Sequence, residues 1–445
     1  MNRDALRGHG QRDGRAVALD VVEDAIDAMH PDRLVPAHLE RDGDVLRVDG
    51  TAYDLAAVDS LFLLAVGKGS LALARAVADA LGDRLDDGVV VEKHGQGGTL
   101  ADLAMFEAGH PLPNEDGATA ARAVLDLADR AGDGDLVIAC ITGGTSALLP
   151  APAGEVTLAD LRETTDALLG AGAPVADVNA VRKHLSRLKG GRLAARIAPA
   201  QCLTLVVVDE VAGDPWGPTV PDATTYADAL EALDRHGLSE AVPERVGAHL
   251  RRGRAGEEPE TPAPNAFDYP ARAVVLADAV ALCDAAAAAV PDGYDAHVLS
   301  ATVEGESREV ARAFGALARE CADRGRPFEP PAVLVSGGET TVTLGDEVGD
   351  GGPNQEFALS LACEIDGRNV CAVAVGTDGT DGPTDLAGGV VDGETLARAA
   401  DRDVDVADAL ARHDAATALD ALGDAVVTGP TGTNVMDLRV IVLGE

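Results

Sequence analysis

Residues 61–81 read LFLLAVGKGSLALARAVADAL. Six apolar residues, LFLLAV at 61–66, make a short continuous run, and the segment after Gly67-Lys68-Gly69 has the period of an amphipathic helix. The order is therefore strand, glycine turn, helix. The same construction recurs along the chain. DLVIAC (135–140) precedes TGGTSALL, CLTLVVV (202–208) precedes DEVAGD, AVLVS (332–336) precedes GGETTVTL, and NVCAVAV (369–375) precedes GTDGTDG. Strands that are apolar on both faces and separated by helical segments predict an α/β protein with mostly parallel sheets covered on each side.

With 445 residues the chain exceeds the roughly 250–300 at which one hydrophobic core stops growing, and a hydrophobic fraction of 46% can fill two. Two α/β domains are expected. The strongest linker signal is RRGRAGEEPETPAPNAFDYP (251–270), where proline, glycine and charge cluster. It divides the sequence into an N-terminal Rossmann-like domain, 1–250, and a C-terminal domain, 271–445. Ligands of such folds bind beyond the carboxyl ends of the strands, where every glycine-rich stretch falls, so the active site is expected in the cleft between the domains.

The 75 acidic residues against 36 basic ones give a formal net charge of −39. A surface so acidic repels nucleic-acid phosphates and anionic membranes. Only four of the cations are lysines: Lys68, Lys93, Lys183 and Lys189. High acid, almost no lysine and 2% aromatic residues look like a halophilic proteome. A lysine kept in such a chain is expected to do what arginine cannot, such as act as a compact charge on phosphate. The six cysteines have no CxxC or zinc spacing and read as buried thiols in a reducing compartment. The first thirty residues have scattered acidic residues and no apolar core of a signal peptide, and no apolar stretch approaches the roughly eighteen residues of a membrane span, so the expectation is a soluble cytoplasmic protein.

The turn AVGKGS satisfies a loose G-x-G-x-x-A pattern through Gly67, Gly69 and Ala72. It reads either as a dinucleotide turn or as plain helix–strand packing, and Lys68 at the helix start, beside Ser70, favours an anion site. TGGTSALLP repeats the construction with Gly143, Gly144, Thr145 and Ser146, whose hydroxyls can donate to phosphate or cap the helix. The stretch VNAVRKHLSRLKGGRLAARIAPAQCLTLVVV (178–208) holds Arg182, Lys183, Arg187, Lys189, Arg192 and Arg196 without one Asp or Glu. In so acidic a chain this basic island implies an anionic partner, a polyphosphate or a small carboxylic acid. Glycine-rich loops further on supply Glu339, Asn354, Glu356, Asp378, Asp381, Asp385, Asn434 and Asp437, oxygen ligands that suit Mg²⁺ together with substrate phosphates.

Together these motifs resemble the class II glycerate 2-kinases, whose C-terminal half is the MOFRL domain. The resemblance is carried by AGHPLPNEDG (108–117), TGGTSALLPAP, NAVRKHLSRLKGGRLA (179–194), GPTVPDATTYADAL (217–230), EGESREVA (304–311), SGGETTVT, GGPNQEFAL, GTDGTDGPTD and TGPTGTN (428–434), in the family's order. It implies transfer of the ATP γ-phosphoryl group to the 2-hydroxyl of D-glycerate, with ATP and Mg²⁺ required and a homodimer as one assembly open to the chain. It further implies Lys68, Lys189 and Asp378 as catalytic residues and Gly67, Gly69, Ser70, Gly143, Gly144, Thr145, Ser146, Arg182, Lys183, Arg187 and Asn354 as substrate- or phosphate-binding residues. Glu339, Asp378 and Asp381 are the metal candidates. The sequence departs from the family at Asp209-Glu210-Val211, at Pro353, at Ala277-Asp278, at Met436 and in GDPWGPTVPD, which brings in Trp216. Two other readings are a hydroxypyruvate reductase, with Asp86, Asp87 or Glu92 holding the NAD(P) ribose, and a non-catalytic metabolite sensor. A kinase for another small hydroxy or sugar acid is a variant of the first.

Overall fold

The structure, a computed structural model, describes residues 1–100, 102–209, 216–263, 272–344 and 348–444. The departure at Glu210-Val211 falls outside them. The chain forms two compact units, each built on a six-stranded sheet.

One unit comprises residues 35–207 and 215–276. In chain order its strands are Leu61–Val66, Asp87–Lys93, Ala104–Ala108, Leu136–Ile141, Gln201–Val207 and Arg272–Ala277. Laid side by side they run third, second, first, fourth, fifth, sixth, the Rossmann order. Among the first five strands every pairing is parallel. The two apolar runs flanking the reversal of strand order, Leu61–Val66 and Leu136–Ile141, are buried at every position, as central strands of a covered sheet must be. Helices Ser70–Leu81 and Glu115–Arg130 follow the first and third strands.

The second unit comprises residues 1–34, 208–214 and 277–445. Its strand order is Asp295–Glu306, Ala332–Thr341, Asp437–Leu443, Val370–Gly376, Gly388–Asp392, Ala425–Val426. Only the first pair is parallel; the last long strand enters the middle of the sheet antiparallel to both neighbours. The expected parallel sheet is therefore mixed in this unit. The cause is topological, since a strand such as DLRVIVL, buried on both faces, carries no mark of its direction.

The division of the chain is not a single cut at 251–270. Helix Glu244–Arg254 runs into that stretch. Beyond it, the Pro259 carbonyl accepts from Arg192, Glu260 pairs with His184, and the Pro262 carbonyl accepts from the Asp222 amide, all within the Rossmann-like unit. Residues 264–270 lie outside the described part. Strand Arg272–Ala277 then completes the Rossmann-like sheet. The first helical residues belong with the C-terminal half. Helix Arg12–Ala28 packs on strands Val370–Gly376 and Asp437–Leu443 and on helix Ala279–Ala288. Its Arg15 is wholly buried between Asp392 and Asp424, 2.8 Å from the latter.

Candidate functional site

In the Rossmann-like unit, the turns after strands Leu61–Val66 and Leu136–Ile141 meet where the strand order reverses. Ligands of doubly wound sheets bind at that point. The approach is close enough to demand glycine. Gly67 has φ +132°, and a methyl group on it would collide with the Thr142 backbone and side chain. The Lys68 amide donates to the Gly143 carbonyl at 2.7 Å. Gly144, at φ +81°, leaves room for His110 and the Lys68 side chain, whose Cδ2 and Cγ would lie 2.9 and 3.3 Å from an added methyl group. From the basic island, Lys189 reaches the same loop, its Nζ donating to the Ser146 carbonyl at 2.9 Å. Two of the four lysines in the chain thus converge on one glycine loop. Loss of solvation, with the Arg182 charge alongside, lowers the Lys189 pKa to about 7.

The rest of the island is quieter. Lys183 is paired with the buried Asp222 at 3.1 Å, Arg196 with Asp129 at 2.6 Å, and Arg192 donates to Tyr226 Oη and the Pro259 carbonyl. The acids missing nearby in sequence are supplied from elsewhere in the fold. Arg187 stands exposed, and its amide binds the Ala151 carbonyl. Lys189 is the island's cation at the loop, with the Arg182 charge near it.

The helix start at Ser70 is also spoken for. Glu92, at the end of the second strand and buried, accepts from the amides of Gly69 at 3.1 Å, Leu71 at 3.0 Å and Lys93 at 2.9 Å. Burial raises its pKa against the pull of those amides. Its carboxylate takes up amide donors at the helix start that a dinucleotide pyrophosphate would otherwise use. The Ser70 hydroxyl donates to the Val91 carbonyl, and that of Thr145 to the carbonyls of Val66 and Thr142. Both side chains therefore serve the turns themselves.

In the mixed-sheet unit, Asp437 begins the inserted strand between Gly338 and Gly376, opposite the carboxyl ends of both neighbours. Asn354 Nδ2 lies 2.7 Å from Asp437 Oδ1 and 3.2 Å from Asp381 Oδ1. Asp381 also accepts from the amides of Asn354 and Gln355, at 3.1 and 2.8 Å, capping helix Pro353–Ile365 from across the fold. Burial, reinforced by the Asp437 charge, raises the Asp381 pKa to about 7. Burial raises Asp437 too, against the Arg439 guanidinium 2.9 Å away. Arg439 is buried, donates to Thr340 Oγ1 and lies over the Phe357 ring. Glu356 is buried between Arg308 and His413, anchoring its helix. Asp378, just past strand Val370–Gly376, is oriented by the Thr380 amide and hydroxyl at 2.9 and 2.8 Å. Glu339 stands exposed on strand Ala332–Thr341. Glu339, Asp378 and Asp381 do not form a cation cage: among the described residues no three His, Cys, Asp or Glu side chains are grouped to hold a metal. Sequence reasoning missed the capping role of Glu92, and it missed His110 and Arg439; the AGHPLPNEDG motif was the one signal for His110.

Residues 17–251 match the family model described as a domain of unknown function, DUF4147, and residues 332–437 match that of the MOFRL family. The chain is similar to the glycerate 2-kinase of Pyrococcus horikoshii, with 39% identity covering 97% of this chain and 98% of that one. It is also 42% identical to a protein of Agrobacterium vitis provisionally named hydroxypyruvate reductase, over 86% of this chain and 87% of the other. The crystal structure of glycerate kinase from Thermotoga maritima superposes with a TM-score of 0.81 at 35% identity, over 96% of this chain and 98% of that one. Matched through both of its halves, the chain belongs to the MOFRL family of glycerate kinases.

Proposed function

We propose that the protein is an ATP-dependent glycerate 2-kinase, transferring the γ-phosphoryl group to the 2-hydroxyl of D-glycerate and releasing ADP and 2-phosphoglycerate. The observation that carries this is the closure of Lys68 and Lys189 on the Gly143–Ser146 loop at the switch point. Phosphoryl transfer is catalysed chiefly by positioning and by stabilising the negative charge of the transferring group. The Lys189 ammonium at this glycine loop, the Lys68 side chain that starts beside it and the Arg182 charge near Lys189 supply both. An arriving anion repays the desolvation of Lys189 and draws a proton onto it. The names of the Pyrococcus and Thermotoga relatives support glycerate as acceptor.

Mg²⁺ keeps several waters and commonly takes one or two carboxylates plus substrate phosphates, so the sparse carboxylate set fits it. Asp378, held in one orientation by Thr380, is the residue we assign to it; Asp381 is occupied as a cap. The ion would neutralise charge on the phosphates.

The reductase reading fares worse on the same geometry. Glu92 fills the donor set that a dinucleotide needs, and ionised it repels a pyrophosphate. The deciding experiment is a coupled ADP-release assay with Mg-ATP and D-glycerate in molar KCl, with identification of the phosphorylated product. 2-Phosphoglycerate supports the assignment; NADH oxidation with hydroxypyruvate and no ADP release overturns it. The net charge of −39 further supports activity in concentrated salt. Stability should rise with KCl, and a melting temperature indifferent to salt would speak against a halophilic source.

A further inference from the structure

Phosphoryl transfer to an alcohol needs a group that takes the hydroxyl proton, and most side chains of the two turns at the switch point are engaged. The Ser70 hydroxyl donates to the Val91 carbonyl, and those of Thr142 and Thr145 donate to the Val66 carbonyl. The Glu92 carboxylate is buried under the amides of Gly69, Leu71 and Lys93. Lys189 donates to the Ser146 carbonyl, and an arriving anion favours its protonated form. Among the described residues of this unit, the remaining titratable side chain at these turns besides Lys68 is His110.

Its ring lies on Gly144. A methyl group there would meet His110 Cδ2 at 2.9 Å, His110 Nε2 at 3.1 Å and Lys68 Cγ at 3.3 Å. The imidazole edge that bears Nε2 therefore rests on the glycine loop, at the root of the Lys68 side chain, and the residue is partly exposed, as a group that meets substrate must be. The backbone on either side is fixed. The Ala108 carbonyl accepts from the His94 amide at 3.0 Å, and the Gly109 amide donates to Asn114 Oδ1 at 3.1 Å. That same oxygen takes the Gly117 amide at 2.9 Å and so caps helix Glu115–Arg130, while the Pro113 carbonyl accepts from Arg162.

We propose that His110 is the general base of the reaction. The proposal rests on the phosphoryl-transfer reading above. A neutral imidazole protonated on Nδ1 keeps a lone pair on Nε2. As the 2-hydroxyl oxygen bonds to the γ-phosphorus, its proton passes to Nε2; the bond from phosphorus to the bridging oxygen breaks, and its electron pair leaves with ADP. His110 returns the proton to solvent. The base thus stands against the same loop glycine as the stem of Lys68, where the acceptor hydroxyl must come to react.

The charged groups around it are Lys68 and Lys189, with Arg182 near the latter, Glu92 beneath the Lys68 turn, and His94 and Asp116 behind Asn114. Lys189 loses a proton as pH rises, so its limb lies on the alkaline side of a rate profile. Glu92 gains one as pH falls, but a limb due to Glu92 survives the loss of His110. ADP release by the full-length wild type with Mg-ATP and D-glycerate is first measured from pH 5.5 to 9, then that of His110→Gln. The expected result is a wild-type kcat that falls on the acid side, and in H110Q a kcat about 100-fold lower, both KM values little changed and the acid limb gone. Should glutamine fit badly against Gly144, His110→Ala with added imidazole replaces it, and turnover that rises with the neutral form of the imidazole supports the base. An acid limb that persists in H110Q, a loss confined to KM, or a folded H110A that imidazole does not revive overturns the assignment while leaving the kinase reading intact. No ADP release by the wild type overturns both.

Discussion

Replacing Lys189 with Met should give a protein that is nearly inactive and whose stability relative to wild type changes sign with pH. In the fold its pKa is lowered from the usual 10.5 to about 7, first by desolvation and then by Arg182. Between those values the unfolded chain binds more protons than the native one, so wild-type stability rises with pH across the window, and the full penalty is present below pH 7. One pKa unit corresponds to about 1.4 kcal/mol. Discounted for the part of the side chain that solvent reaches, the penalty is ~1–2 kcal/mol. Methionine removes it while losing the hydrogen bond to the Ser146 carbonyl, worth ~1 kcal/mol. K189M should therefore equal or slightly exceed wild type in urea melts at pH 6 and fall short by ~1 kcal/mol near pH 10. Its kcat/KM for phosphoryl transfer should drop by ~100-fold or more. Equal destabilisation at both pH values would refute the desolvated-lysine argument, and retained turnover would remove Lys189 from the site.

Gly67→Ala should cost about 3 kcal/mol or more, since φ +132° and the collision with Thr142 add together; a melt within 1 kcal/mol of wild type would show that the two turns can part. Arg15→Ala leaves the buried Asp392 and Asp424 with Arg398 as their shared cation and should destabilise by ~2–3 kcal/mol, measured by denaturant melting at pH 7. Asp437→Asn should lower the Asp381 pKa from about 7, because it removes the nearby charge that helps hold it up. By linkage, a raised carboxyl pKa favours the native state at low pH and costs stability as pH rises through 7. The variant should therefore lose less stability than wild type between pH 6 and 8; an unchanged slope would uncouple the two carboxylates.

The sheet-forming runs and the glycine turns after Leu61–Val66 and Leu136–Ile141 were legible because strand periodicity and glycine spacing are local, whereas Gly337-Gly338, read as a turn after 332–336, continue strand Ala332–Thr341. What was not legible depended on remote partners. Nothing near Lys183 or Arg196 in sequence announces Asp222 or Asp129, so the basic island looked more exposed than it is. The Gly-Lys-Gly turn looked like an anion cradle because Glu92, its actual occupant, sits on the neighbouring strand. The stretches 351–359 and 376–385 read as glycine-rich loops supplying oxygen ligands; the first is mostly the start of helix Pro353–Ile365, and the sequence could not say that Asp381 caps that helix while Asp378 is held by its own turn. Direction was equally hidden in the last strand, whose apolar run fits a parallel or an antiparallel neighbour.

Because residues 1–34 fold with 277–445, the Rossmann-like unit is an insertion in the chain that encodes the other. The ribosome finishes the helix Arg12–Ala28 first and makes one of the strands it packs on, Asp437–Leu443, last. At roughly 5–20 residues per second the interval is on the order of tens of seconds. Until helix Ala279–Ala288 has been made, the stripe of Ala18, Leu19, Val22 and Ile26 has none of the partners of its own unit to lie against. The nascent chain must therefore carry a sticky leading helix past a domain already able to fold, which makes this segment the natural client of a holding chaperone and the first suspect when expression yields aggregates.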